Sequence, residues 1–366
     1  MALFGPLAPI EEVRFLTRSP SPDSVRLLGV AYDYLQSLPP QDLLAVCVCS
    51  SVAWGIATPA SDLDIGLIVR EGAVPCAEKR QFGSDFVDHC EWPFSWVADA
   101  VKDPLGNPIL SYTAAFALVV YDPEGRLAAA QRQLVPRIFE GGGARKWIRH
   151  YLDAAAGMRI QARQALHGDP DANIASFLFE GVRRLADAVL HLLPGGHCGE
   201  WPHRLHQVAR QWNEPWLAAE AGRILAPLGV DITTLASAIE PCERLHDLSA
   251  TPPSGRSLGC SRESAAFFAR KARYYEQQRD ALSLLHVLRK QFGYVEQNLD
   301  AKRESDIHAS ELAGVTDELR RIRNMVSMAW PYGQDSREVS IELFDRYRER
   351  VAHLLDRRMP SEAAFQ

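Results

Sequence analysis

The pattern of apolar residues changes near residue 126, and this change restricts the fold more than any other feature of the sequence. Before it, four short runs rich in β-branched or aromatic residues are each bounded by Gly, Pro, Ser or Asp, which predicts strands. These runs cover residues 43–49, 63–69, 85–92 and 116–122. After it, apolar residues recur at helical spacing over long stretches. We therefore expect an α+β chain in which a small mixed sheet with flanking helices precedes an all-helical domain.

A further helix is predicted over residues 21–38, because Ser and Asp cap signals open this stretch and two prolines follow it. After the sheet, helices are predicted over residues 144–166, 172–193, 203–226, 262–292, 309–329 and 336–357. The composition of residues 248–259 predicts a loop. The glycine triplet at 141–143 lacks the Gly-Lys-Ser/Thr ending of a phosphate-binding loop, so we interpret it as a linker. The expected domains are residues 1–140 and 141–366.

The composition is that of an ordinary globular protein, with 47% hydrophobic and 23% charged residues in a chain of 366. The net charge of -6 argues against a dedicated nucleic-acid binder, which usually carries a basic surface. Seven scattered cysteines do not form the pattern of a disulfide framework. The first residues lack the pattern of a secretory leader, and no stretch reaches about 18 uninterrupted apolar residues. We expect a cytoplasmic protein without a membrane partner, and its oligomeric state stays open.

Two aspartates, Asp62 and Asp64, stand one residue apart at the start of an apolar strand. Residues i and i+2 of a strand point to the same side, so the two carboxylates share a face. Like charges about 4 Å apart repel by roughly 4 kcal/mol at an effective dielectric near 20, so we expect a cation beside them. Carboxylate oxygens are the ligands that hard divalent cations prefer.

A third carboxylate is expected from the run at 85–92, which contains Asp88 and Glu91. These two residues are three apart, so in a strand they face opposite sides and only one can join the aspartate pair. Asp88 is favoured, because it shares its face with Phe86 and Trp92 and a solvated position would not explain it there.

The spacing of these residues matches a known motif. The letters SS, at Ser50 and Ser51, are followed by ten residues and then by DLDI, which begins at Asp62. This arrangement resembles the Gly-Ser and Asp-h-Asp-h signature of the DNA polymerase β-type nucleotidyltransferase superfamily, where h is an apolar residue. In outline, the small-molecule branch that includes the aminoglycoside nucleotidyltransferases is the most similar. The resemblance covers roughly residues 40–125, and Ser50 stands where the family usually has glycine.

The resemblance implies that Asp62, Asp64 and Asp88 hold two Mg²⁺ ions and that Ser50 and Ser51 lie against a nucleoside triphosphate. The implied reaction transfers a nucleoside monophosphate, in the first place AMP from ATP, to a hydroxyl of a small molecule and releases pyrophosphate. Three alternatives stay open: a protein or RNA acceptor, a catalytically weak protein that senses nucleotides, and a metal-dependent glycosyltransferase, since those enzymes also use an Asp-x-Asp.

Charge counting predicts further cations in such a site. Three carboxylates, a triphosphate and two divalent ions together leave about three negative charges. Arg145, Lys146 and Arg149, at the start of the first helix after the glycine triplet, are the preferred candidates. Lys79 and Arg80, just ahead of the run at 85–92, form the alternative set.

Two other features leave a choice open. The proton of the attacking hydroxyl needs an acceptor, for which Glu91 and Glu180 are the candidates. One stripe of basic residues also has two interpretations: it is either a solvated helix edge or a wall facing an anionic ligand. It consists of Arg145, Arg149, Arg159 and Arg163.

Residues 197–206, with three histidines and a cysteine, have spacings that zinc could use. They contain no Cys-x-x-Cys and include a proline, so we do not expect a structural metal there.

Overall fold

The computed structural model describes residues 7–38, 42–70, 77–139, 142–168, 174–193, 195–225, 231–250, 261–303, 322 and 334–359. These residues divide into two compact units. The first unit runs up to Ala144 and also takes in the beginning of a later helix as far as Phe267. The second unit holds the rest of the described chain from Arg145 onward. The predicted boundary between residues 140 and 141 stays a prediction.

A five-stranded mixed sheet forms the centre of the first unit. Its strands are β1 (Leu43–Val48), β2 (Leu63–Val69), β3 (Ala77–Phe82), β4 (Asp85–Pro93) and β5 (Leu118–Tyr121). The spatial order is β3-β4-β2-β1-β5, in which β2 and β4 run parallel and the other neighbours antiparallel. This mixed sheet, followed in the chain by helices, confirms the predicted α+β class.

The helices of the first unit are α1 (Pro22–Ser37), α2 (Ser50–Ala53), α3 (Phe94–Lys102), α4 (Pro108–Ala115) and α5 (Arg126–Phe139). The Ser21 hydroxyl caps α1 by accepting a hydrogen bond from the Ser24 N–H at 3.1 Å, as the cap signal predicts. Leu27 and Leu35 on α1 are fully buried in the same core as Val46 of β1. Every residue of β1 is buried, which fits its continuous apolar sequence.

Strand β3 and helices α3 and α4 are absent from the sequence predictions. The strand reads AEKRQF, without a β-branched residue and with three charged ones, so its sequence carries no strand signal. It lies at the edge of the sheet, where charged residues are common because they discourage pairing with another chain. Its backbone pairs with β4 from Ala77 opposite Cys90 to Phe82 opposite Asp85.

The second unit contains helices, their connections and no strand among its described residues. Its helices are α6 (Gly142–Gly168), α7 (Ile174–Leu190), α8 (Trp201–Gln211), α9 (Trp216–Leu225), α10 (Ile232–Ala236), α11 (Ile239–Ser249), α12 (Arg262–Gln277), α13 (Ala281–Arg303) and α14 (Gln334–Arg358), and the first turns of α6 and α12 belong to the first unit. The predicted helix at 309–329 lies outside the described residues except for residue 322, and so does most of the predicted loop at 248–259.

Two predicted helices are each divided in two. Asn213, with φ 56°, separates α8 from α9, and Arg279, with φ 53°, separates α12 from α13. A left-handed residue ends a helix because its backbone turns away from the helical path. Asp280 then opens α13 by accepting a hydrogen bond from the Ser283 N–H at 3.0 Å. Helical periodicity continues across both breaks and does not reveal them.

Helix α14 packs against α7 and α9, and its Tyr347 is fully buried with its hydroxyl donating to the Leu217 carbonyl at 3.1 Å. Arg159 and Arg163 of α6 each place a guanidinium Nη2 2.9 Å from Asp345 Oδ2 on α14. Arg159 and Arg163, two of the four arginines of the stripe, therefore form ion pairs within the second unit.

Among the described helices, none is both long and apolar enough to cross a membrane.

Gly66 in β2 provides a test of the packing on the sheet face that carries Asp64. A Cβ at Gly66 would lie 2.9 Å from Cys47 Sγ and 2.9 Å from the Trp92 ring, so Gly66→Ala overpacks this face and should lower the free energy of unfolding by about 1–3 kcal/mol. Gly29→Ala in α1 meets no atom within 4 Å and should raise it by about 0.5–1 kcal/mol. Urea denaturation measures both, and equal stabilities of the two variants would contradict this packing.

Candidate functional site

The register of three neighbouring strands brings charged residues together on one face of the sheet. Asp64 of β2 lies opposite Asp88 of the parallel strand β4, and Asp88 in turn lies opposite Lys79 of β3. Directly opposed residues of neighbouring strands project from the same face. Asp62 precedes β2 by one residue and stands two positions before Asp64, which brings it to the same side.

The carboxylates of Asp62, Asp64 and Asp88 each offer an oxygen, and these oxygens all lie within 4.8 Å of one another. The ammonium of Lys79 lies among them: Nζ is 2.6 Å from Asp62 Oδ2 and forms an ion pair with Asp88 Oδ1. The Lys79 side chain is only 3% exposed. Its Nζ also lies 3.8 Å from the centre of the Phe267 ring, a cation–π contact.

The electrostatics of this cluster show a deficit of positive charge. Burial lowers the pKa of Lys79, but the attraction of Asp62 and Asp88 outweighs burial, so the pKa is raised and the ammonium stays charged. Burial, assisted by repulsion from Asp62 and only partly offset by Lys79, raises the pKa of Asp88 to about 8. One ammonium therefore does not neutralise three carboxylates.

The donor set fits a divalent cation. Carboxylate oxygens are the preferred ligands of Mg²⁺ and Mn²⁺. When all three carboxylates are ionised, Lys79 leaves two negative charges uncompensated, which equals the charge of one divalent ion. Among the residues that the structure describes, these three aspartates are the one group of His, Cys, Asp and Glu side chains with the spacing of a metal site. Lys79 and such an ion would share the oxygens of Asp62 and Asp88.

Glu91 does not join this cluster. It lies three residues beyond Asp88 in β4, and its Oε1 is 3.4 Å from Nε2 of His89, two residues away on the same side of the strand. The other ring nitrogen of His89 is 2.8 Å from the Tyr34 hydroxyl. The structure therefore brings together Asp62, Asp64 and Asp88 and leaves Glu91 on the opposite face.

Ser50 and Ser51 follow β1 directly and open the short helix α2. The Cys49 N–H donates to the Asp64 carbonyl at 2.9 Å, so this turn lies beside the strand that carries the aspartates. Ser50 has φ 54°, in the left-handed region where a Cβ is unfavourable. Glycine, which the resembling family has at this position, would adopt this conformation without that cost.

The other candidate cations differ in their surroundings. Arg80 pairs with Glu78 of its own strand at 2.6 Å. Arg145, Lys146 and Arg149 lie exposed on α6 in the second unit, and their contribution to the site stays a prediction. Lys79, from the alternative set, is the cation that the described first unit places against the carboxylates. Phe267 also belongs to the cluster through its contact with Lys79. In the sequence it stands in a stretch of aromatic and basic residues, which by itself indicates only the packed side of a helix.

Comparisons with known proteins add little to this geometry. No protein-family model and none of the curated proteins matches the chain. Among solved structures, the chain is similar to the crystal structure of a nucleotidyltransferase-like protein from Exiguobacterium sibiricum, with 10% identity over 82% of this chain and 89% of that chain and a TM-score of 0.30. A match at this TM-score by itself assigns neither a family nor an activity.

Lys79→Met tests how strongly the ammonium stabilises the carboxylate cluster. Removing one partner of a buried ion pair leaves unpaired charge, so we expect the free energy of unfolding, measured with urea and EDTA at pH 7.5, to fall by about 3 kcal/mol. Mn²⁺ should then stabilise Lys79→Met more than the natural protein. Lys102→Met, which removes an exposed pair with Asp99 at 2.8 Å, is the control and should change stability by less than about 0.5 kcal/mol. Equal effects of the two substitutions would contradict a stabilising role for Lys79.

Ser50→Gly tests the strained turn. Glycine adopts positive φ freely, so this substitution should raise the free energy of unfolding by about 1 kcal/mol. Ser51 does not share the positive φ of Ser50. Ser51→Gly should lower stability by a similar amount, because it adds freedom to the unfolded chain and removes a buried side chain. Thermal unfolding of the pair measures both effects, and a loss of stability in Ser50→Gly would mean that the serine side chain has a stabilising role of its own.

Proposed function

We propose that this chain is a metal-dependent nucleotidyltransferase. It transfers a nucleoside monophosphate, in the first place AMP from ATP, to a hydroxyl of a small-molecule acceptor and releases pyrophosphate. The observation that carries this proposal is the convergence of Asp62, Asp64 and Asp88 within 4.8 Å on two neighbouring strands, beside the turn formed by Ser50 and Ser51. The left-handed backbone at Ser50, where the resembling family has glycine, supports it.

The three aspartates would hold the two Mg²⁺ ions. When bound, the ions neutralise charge on the phosphates and make the attacking hydroxyl easier to deprotonate. Lys79 supplies a fixed positive charge in the same cluster, so the site needs fewer cations from elsewhere than the carboxylates and phosphates alone would require. Arg145, Lys146 and Arg149 remain the proposed contacts to the triphosphate.

The turn at Ser50 and Ser51 would receive the phosphates. Small side chains at the end of β1 let backbone N–H groups approach phosphate oxygens closely. In the transfer itself, an acceptor oxygen attacks the α-phosphorus in line with the departing pyrophosphate. The bond from phosphorus to the bridging oxygen breaks as the new ester bond forms, and the hydroxyl proton passes to a base. Of the two candidates from sequence, Glu180 remains for this role, since Glu91 faces away from the aspartates.

One observation favours a second candidate function. The Lys79 ammonium contacts two of the three carboxylates that would hold metal, which suits a protein that binds nucleotides and turns them over slowly or not at all. Such a protein would sense a nucleotide rather than transfer it. The two candidates differ in one measurable product, pyrophosphate.

The test combines the full chain with Mg²⁺ or Mn²⁺, each α-labelled nucleoside triphosphate and pooled hydroxyl-bearing metabolites. Under the main proposal, pyrophosphate and a labelled product form together, and Asp64→Asn and Asp88→Asn each reduce the rate at least about 100-fold by removing a metal ligand. Metal-dependent nucleotide binding without pyrophosphate would support the second candidate. No binding and no pyrophosphate would overturn both.

Glu91→Gln is the matched control, because Glu91 lies on the same strand as Asp88 and faces the other side. Its activity should stay within about 3-fold of the natural protein if the carboxylate only contacts His89. Full activity in Asp88→Asn together with loss of activity in Glu91→Gln would reverse the assignment of the third carboxylate. Retained folding, checked by circular dichroism, makes each comparison valid.

A further inference from the structure

The second unit contains a cavity of about 460 Å³ that is lined by none of the proposed metal ligands or phosphate contacts. We call it the α7–α13 pocket, because its walls come from α7 (Phe179, Glu180, Arg183), from residues 197–201 and from α13 (His286, Arg289, Lys290). Its volume lies within the range of about 300–1,000 Å³ found for small-molecule sites. The first half of the histidine-containing stretch at 197–206 thus lines one wall of the cavity.

The most deeply buried carboxylate of this pocket is paired. Glu200, with its side chain 7% exposed, lies 2.7 Å from Lys271 Nζ and 2.8 Å from His286 Nε2. Burial raises the pKa of Glu200, but Lys271 and His286 outweigh burial and hold the pKa well below its usual range. Glu200 therefore stays charged and has its partners within the protein.

The other two carboxylates are paired as well. Glu180 lies 3.3 Å from Arg183, and Asp187 lies 3.6 Å from Arg184 and 3.8 Å from His197. Each negative charge of the wall thus already has a cation beside it. Any cation that remains without a carboxylate is then available to a ligand.

Arg289 is such a cation. In the part of the chain that the structure describes, its guanidinium forms no hydrogen bond or ion pair, and it lies 4.3 Å from the centre of the Phe179 ring. Burial lowers the pKa of Arg289 to about 10, because Glu180 offsets only part of the desolvation. A guanidinium that stacks by its face keeps its in-plane N–H groups available for oxygen acceptors.

Two further polar atoms, on residues that line the same pocket, lack partners among the described residues. The Trp201 indole N–H and His286 Nδ1 are both buried without a hydrogen bond. Buried donors are nearly always satisfied by protein, water or ligand. The indole N–H can only donate, and the guanidinium can only donate, so both require an acceptor.

We propose that the α7–α13 pocket binds a small organic oxyanion, a carboxylate or a phosphate monoester with an apolar body. Its oxygens accept hydrogen bonds from Arg289 and from the Trp201 indole N–H, and its apolar part lies against the aromatic wall around Phe179. Arg289 and Trp201 are not among the residues proposed for nucleotidyl transfer, and this inference does not depend on that function.

The test is isothermal titration of the full chain with benzoate, phenyl phosphate and the uncharged benzyl alcohol. We expect at least one oxyanion to bind and benzyl alcohol not to bind, and the two oxyanions distinguish a carboxylate from a phosphate site. Arg289→Met should weaken the bound oxyanion at least 10-fold and Trp201→Phe at least 3-fold. Arg210→Met, on the exposed side of α8, is the matched control and should leave affinity unchanged.

Asp64→Asn separates this inference from the proposed function, since it should abolish transfer and leave oxyanion binding intact. Binding of neither oxyanion to the natural protein would overturn the proposal, and so would equal affinities of Arg289→Met and Arg210→Met. If Arg289→Met does not fold, Trp201→Phe decides alone, because it keeps an aromatic side chain and removes the donor. Unchanged affinity in that variant would then overturn the proposal.

Discussion

The contact between the Lys79 ammonium and the carboxylates of Asp62 and Asp88 is the interaction on which the first unit depends. Three carboxylates on one face of a sheet repel each other by several kcal/mol at a protein-like dielectric. Without a cation they would favour protonation or separation of the strands. Because Lys79 lies opposite Asp88 in the register, the same residue that relieves this repulsion also joins the edge strand β3 to the sheet. Fold stability and site geometry therefore share one contact.

This arrangement sets a condition on any metal that enters the site. An ion bound by Asp62 and Asp88 meets the ammonium at the same oxygens, and both are positive. Phe267 offers the ammonium a second attractive surface that uses no carboxylate oxygen, since a cation is stabilised by the face of an aromatic ring. Lys79 can thus give up carboxylate oxygens without losing all of its favourable contacts. The ring belongs to the site for this reason, although it supplies no ligand atom.

Some of this site could be predicted from the sequence, and the limits of prediction have physical causes. The period of two in a strand places Asp62 and Asp64 on one face and separates Asp88 from Glu91. That β2 and β4 run parallel, with Asp64 opposite Asp88, depends on tertiary pairing that no local pattern encodes. Strand β3 escapes prediction because edge strands favour charged residues. The contact of Lys79 with the carboxylates is therefore not predictable before the register is known, and the contribution of the cations near Arg145 stays a prediction.

Each unit contains buried charge that the chain itself does not fully compensate, and this charge is negative in the first unit and positive in the second. In the sheet, carboxylates are in excess, and a buried ammonium compensates part of that excess within the chain. Around the α7–α13 pocket, every carboxylate of the wall already has a cation beside it, and Arg289 is left over. A buried charge without a partner lowers the stability of the folded state, and replacement by an apolar residue would remove that cost. An anion from outside that pairs with the Arg289 guanidinium would remove this cost and keep the charge, which an apolar replacement could not do.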